Sequence, residues 1–180
     1  MKLKKKDLLD ELEQELRNQL LFVHDRLINC SKENLLKPSS TGGWSILQCL
    51  DHLNSYGLYY LPRIESALKK CKKSDSEYYL SGWLGDYFTK MMSPDTSGKK
   101  YKAFKGHIPT EVPEPSLVLA EFIRQEKQFL SFIPELRERD PASVRIPISI
   151  SPMIRLRLGD TIRFIMAHNK RHLLQAARNL

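Results

Sequence analysis

The sequence predicts an all-α fold, a bundle of four long helices, and three observations lead there. Residues 3–29, 45–73, 116–138 and the stretch from Asp160 onward each repeat apolar side chains at spacings of three and four, the mark of a helix with one buried stripe. A Gly- and Pro-punctuated linkage separates the second of these from the third, and a linkage that long can cross a bundle and let consecutive helices run parallel. The 180 residues, 41% hydrophobic and 28% charged, suit one soluble domain spanning 1–180.

The first helix carries Leu9, Leu12, Leu16, Leu20, Val23 and Leu27 on one stripe, with Asp7, Asp10 and Glu11 offsetting the lysines at its positive end. Residues 31–43 read as a connector, with Pro38, Gly42 and Gly43 as punctuation and one short helical turn at Glu33 to Leu36. Ser45 and Gln48 have capping-box spacing at the start of the second helix. Its stripe runs Ile46, Leu50, Leu53, Gly57, Tyr60, Ile64 and Leu68, and Pro62 is expected to bend it. A short third helix is expected over 76–92, followed by loop over 93–114 with His107 solvated. The fourth helix takes Ser116 as its cap and Leu119, Phe122, Ile123, Leu130 and Ile133 as its stripe. Residues 141–157 alternate in a strand-like way, but Pro141, Pro147 and Pro152 argue against an inner strand. An extended segment laid over the bundle is the expectation. The last helix starts with Asp160 as N-cap.

Charge and cysteine usage narrow the function classes. No apolar run approaches the ~20 residues of a membrane span, and the lysine-rich start, Met1 to Asp7, lacks the apolar core of a secretory signal. Three unpaired cysteines, Cys30, Cys49 and Cys71, fit a reducing compartment, so a cytoplasmic location is expected. The net charge of +8 comes from lysine clusters at 4–6, at 69–73, and at Lys99, Lys100, Lys102 and Lys105. The last interleaves Tyr101 and Phe104 as a single-strand binder would. Charge of this kind supplies non-specific attraction and not a function, so nucleic acid is not the expected partner.

The chemistry concentrates in histidines. His168 and His172 stand four apart on the last helix, one turn above each other on the same face. That geometry grips one metal ion if another element supplies more ligands. The best supplier is His52, which borders the core face of the second helix. Gln48 and Gln175 share faces with these histidines and are candidate partners for the far ring nitrogens, each equally readable as an ordinary helix polar residue. Tyr56 and Tyr60 are candidate pocket walls or core packing, and Cys49 is a soft donor or an inert buried thiol. His24 is a packed or surface residue by position, and Arg171 a surface ion-pair former.

Together the two stretches resemble the DinB-like superfamily of metal-dependent proteins. Trp44-Ser45-Ile46 followed by Asp51-His52-Leu53 is similar to the start of that family's second helix. His168-Asn169-Lys170-Arg171-His172-Leu173-Leu174-Gln175 is similar to its final-helix signature, two histidines with three residues between them and a following glutamine. The resemblance implies an up-down-down-up four-helix bundle with a long crossover between the second and third long helices. It also implies a divalent metal ion, nickel or zinc above all, on His52, His168 and His172. Family members with known activity include transferases and isomerases that use a low-molecular-weight thiol, so a metal-dependent enzyme, a thiol-dependent transferase or a hydrolase, is the leading expectation. A small-molecule substrate or thiol and a second copy of the chain (a homodimer) are the expected partners. The alternative is a non-enzymatic metal-binding or stress-associated interaction module.

Overall fold

A computed structural model describes residues 1–40, 42–94, 101–109 and 114–180. The chain is mostly helical, with two small two-stranded sheets. Its helices are α1 (Lys5–Arg26), α2 (Lys32–Leu36), α3 (Ile46–Lys70), α4 (Trp83–Met92), α5 (Pro115–Arg137) and α6 (Leu158–Ala177). The strands are β1 (Lys2–Lys4), β2 (Tyr78–Leu80), β3 (Arg145–Ile148) and β4 (Ser151–Arg157). No helix among the described residues is long and apolar enough to cross a membrane.

The local signals explain most of the boundaries. α3 opens on a complete capping box: Gln48 N–H donates to Ser45 Oγ, and Ser45 N–H donates to Gln48 Oε1. α3 runs unbroken through Pro62, and α5 through Pro134. Three starts differ from expectation. α1 begins at Lys5 because Lys2–Lys4 pairs antiparallel with Tyr78–Leu80, which also takes the first residues from the helix expected over 76–92. α5 begins at Pro115 with no side-chain cap, a position where the missing proline N–H costs nothing. α6 begins at Leu158, so Asp160 lies inside the first turn. Its carboxylate accepts instead from Ser81 Oγ at 2.7 Å and Gly82 N at 2.8 Å, tying α6 to the start of α4. Gly85 makes that close approach feasible, since a Cβ there would overlap the Asp160 side chain.

The expected extended segment over 141–157 is a hairpin, β3 pairing antiparallel with β4. Pro147 and Pro152 are compatible with it because in a two-stranded ribbon each strand is an edge. Ile146, Ile148 and Leu156 turn inward onto the helices.

Two ends of the helical body are tied by named contacts. Lys5 Nζ, at the start of α1, donates to the carbonyls of Ser74 and Arg139, just past the ends of α3 and α5. Leu158 and Gly159, at the start of α6, donate to Val144 and Pro141 at the same end. At the other end Val23 and Leu27 share a core with Ile46, Val118 and Ala176, and Asn179 donates to the Trp44 carbonyl.

The apolar interior falls into two blocks. One contains Leu16, Tyr56, Phe129 and Met166; the other contains Val23, Leu53, Phe122 and Leu173. Between these levels every long helix buries polar side chains: Gln19 on α1, His52 and Asn54 on α3, Gln125 and Glu126 on α5, and His168 and Asn169 on α6. They join across helices. Gln19 donates to the Met166 carbonyl, Asn169 to Glu126, and Gln125 to the Asn54 carbonyl. Gly57 leaves room for this belt, because a Cβ there would overlap the Gln125 amide.

Candidate metal centre

The histidine cluster is part of this belt. His52 and His168 are 2% and 3% exposed, and His172 is half-buried one turn further along α6. Their ligand nitrogens all lie within 4.8 Å of one another. His52 Nε2 and His168 Nε2 stand 3.2 Å apart. Two nitrogens bound tetrahedrally to one ion at about 2.0–2.1 Å would be about 3.3 Å apart, so this spacing suits two ligands of a single ion.

The outer hydrogen bonds set which ring nitrogen points inward. His52 Nδ1 lies 2.6 Å from the carbonyl of His107. A carbonyl only accepts, so Nδ1 carries the proton and Nε2 keeps its lone pair. His172 Nδ1 lies 3.0 Å from Gln175 Oε1, with the same consequence. His168 Nδ1 is buried without a partner. Aromatic rings wall the cluster: Trp44 stacks on His172 at 5.8 Å, Phe164 on His168 at 5.9 Å, and the Tyr56 ring lies 4.5 Å from His168.

That wall controls protonation. Burial holds His52 down to about 4, despite its bond to the His107 carbonyl. Burial, and then the neighbouring His52, hold His172 down to about 3. Burial and the two other imidazoles push His168 well below the ordinary histidine range. All three are therefore neutral at pH 7, the form that binds a metal ion. The donor set, three imidazoles with no thiolate or carboxylate, fits zinc, nickel, copper or iron.

The other sequence candidates are placed as follows. Gln175 faces His172, while the Gln48 carbonyl is committed to the helix cap. Tyr56 and Tyr60 line a cavity of about 970 Å³ that opens from the histidines. Burial pushes Tyr56 up to about 12 and Tyr60 upward as well, and the Tyr60 hydroxyl accepts from Ser149 N. Neither phenol is poised to lose its proton near neutrality. Cys49 belongs to the apolar block beside Leu50, its thiol pushed by burial up to about 12. His24 is exposed beside Asp25. Arg171 lines the cavity, its guanidinium 5.4 Å from the Tyr101 ring centre. Of the third lysine cluster, Lys99 and Lys100 lie outside the described residues, whereas Tyr101, Lys102 and Phe104 also line the cavity.

One expectation is overturned. His107 is not solvated: a short 3-10 turn, Lys105–His107, lays its ring 3.8 Å from Tyr56 and puts its Nδ1 2.8 Å from Ser55 Oγ. The connection between α4 and α5 is thereby fastened to α3, and its carbonyl orients His52. A histidine among polar loop residues carries no periodic signal of this. Phe164 was also missed, although its spacing of four before His168 is the same signal that pairs the histidines.

No curated protein and no solved structure matches this chain. A family model described as the DinB superfamily does, over residues 13–176. That span takes in α3 and α5 whole, most of α1 and α6, and all three clustered histidines, and the chain belongs to the DinB superfamily.

Proposed function

We propose that the protein is a metal-dependent enzyme in which His52, His168 and His172 hold one divalent ion, zinc or nickel, at the base of the cavity. The observation that carries this reading is the convergence of three neutral imidazoles from two helices, at ligand spacing, on the wall of a cavity large enough for a small molecule. When bound, such an ion supplies Lewis acidity, stabilising a thiolate or hydroxide over the thiol or water at neutral pH. Held by His52, His168 and His172 alone, the ion would remain open to an exogenous thiol or water. Transfer of a group to or from a small thiol, or hydrolysis, is the chemistry this supports. The chain's own part is to present unprotonated nitrogens, fix two of the rings through the His107 carbonyl and Gln175, and exclude water with Trp44, Tyr56 and Phe164.

The two shared ends described above support reading the long helices as the family's up-down-down-up bundle, with the α3-to-α5 connection as its crossover. The test of the site is elemental analysis of untagged protein against His168→Ala and His172→Ala. About one ion per chain in the parent, lost in both variants, is the expected result. Equal metal content in all three would sink the reading.

A further inference from the structure

The cavity has a chemistry of its own beyond the three histidines. Its volume of about 970 Å³ lies at the upper end of small-molecule sites. One wall is α4, which contributes Tyr87, Phe88, Met91 and Met92, and Phe164 and Leu156 also line the space. Tyr87 is 59% exposed although it belongs to a largely apolar helix, and Phe88 and Met92 reach the core only in part, so this face is not wholly spent on the core. Methionine side chains adapt to irregular apolar shapes, which suits a flexible guest more than a fixed internal contact.

The charge is one-sided. Among the described residues the lining includes Lys102, Arg171 and Arg178 and no aspartate or glutamate. The chain has 21 acidic against 29 basic residues, so the lack of acids among the described lining residues is not simply composition. Arg171 and Arg178 are seven residues apart on α6 and its C-cap, which puts them on one helical face. A concave apolar site with charge of one sign concentrates ligands of the other sign, and a guanidinium pairs with a carboxylate through two parallel hydrogen bonds.

We propose that this cavity binds an anionic amphiphile, a carboxylate on an extended apolar body, with the body against α4 and Phe164 and the carboxylate among Arg171, Arg178 and Lys102. The proposal names the ligand class of the site proposed above and rests on that reading in part. A divalent ion beneath neutral imidazoles would add to the same positive field, whereas the arginine side stands without it.

The test is a fluorescence titration with dansyl-labelled undecanoate, run on chelator-treated and on zinc-loaded protein. Dodecanoate, dodecanol and dodecyltrimethylammonium then compete, each below its micellar concentration. Dodecanoate should displace the probe at concentrations at least tenfold lower than dodecyltrimethylammonium does. The double variant Arg171→Gln/Arg178→Gln should weaken dodecanoate at least tenfold and leave dodecanol unchanged, with circular dichroism confirming its fold. Met91→Glu, which sets a carboxylate in the apolar wall, should weaken dodecanoate more than dodecanol. Equal competition by the cationic amphiphile, or no loss in the double variant, would overturn the proposal. Dodecanoate binding by a chain that elemental analysis finds free of histidine-dependent metal would remove the metal reading and leave this one standing.

Discussion

Replacing Glu126 with glutamine should make the protein less sensitive to alkali, and the size of the effect follows from where the side chain lies. Glu126 is 1% exposed, accepts one hydrogen bond from Asn169 at 2.7 Å, and leaves Oε2 without a partner. Burial raises its pKa from the ordinary 4.5 to about 8, against the opposing effect of the Asn169 bond. In the unfolded chain the carboxyl ionises above 4.5; in the folded chain it keeps its proton to about 8. The folded state therefore binds more protons in that interval, and stability falls as pH rises through it, by about 1.4 kcal/mol per pH unit. The three clustered histidines act with the opposite sign. Held neutral in the fold, they cost stability as pH drops toward and through their unfolded value of 6.5. The histidine contribution is common to the parent and to Glu126→Gln, so Glu126 is isolated as the difference between the two, and a fall of about 2 kcal/mol in that difference is expected from pH 6.5 to 8. For a chain of this length that is roughly 4–8 °C in Tm. Chemical denaturation of chelator-treated protein at pH 6.5, 7.2 and 8 measures it. Relative to Glu126→Gln, which keeps the acceptor for Asn169, the parent should lose stability across the series. Parallel slopes in the two proteins would refute the assignment of a neutral buried carboxyl.

Two further outcomes are expected. Gln175→Met keeps the side-chain length but removes the acceptor for His172 Nδ1, and should weaken zinc binding roughly 10–100-fold without abolishing it, read by competition with a chromophoric chelator. Gly57→Ala places a methyl on the Gln125 amide and should cost about 1–3 kcal/mol, with part of the loss recovered in Gly57→Ala/Gln125→Ala; urea unfolding of the single and double variants measures both.

What the sequence made legible, and what it hid, divides by range. The four long helices were readable because a repeat such as Leu9, Leu12, Leu16 persists over many turns, and the Ser45–Gln48 cap because its partners are three residues apart. The histidine trio was readable in part from one helical interval and in part from family resemblance. Strands of three residues, Lys2–Lys4 and Tyr78–Leu80, show no period at all, so that sheet was missed, whereas the alternation over 141–157 showed extended backbone but not the β3–β4 pairing. Asp160 looked like a cap because local spacing favours one, yet its bonds go to Ser81 and Gly82, across the fold. Glu126 lies on the apolar stripe of its helix, four residues after Phe122 and three before Phe129, but its partner Asn169, on another helix, leaves no mark in the local pattern. Each of these depends on a partner distant in sequence, where periodicity has no reach.

The belt of amides, carboxyl and imidazoles across the middle of the body has a consequence for how the helices find their places. Greasy surfaces slide past one another at small cost, since one leucine packs against the next nearly as well as against the last. A helix displaced by one turn here would carry Gln19, Glu126 or Asn169 into a purely hydrocarbon neighbourhood and strand its hydrogen-bonding atoms there. The same slip would pull His52 away from His168. The alignment that folding selects and the alignment that a metal ion requires are therefore one alignment, enforced by a single ring of side chains.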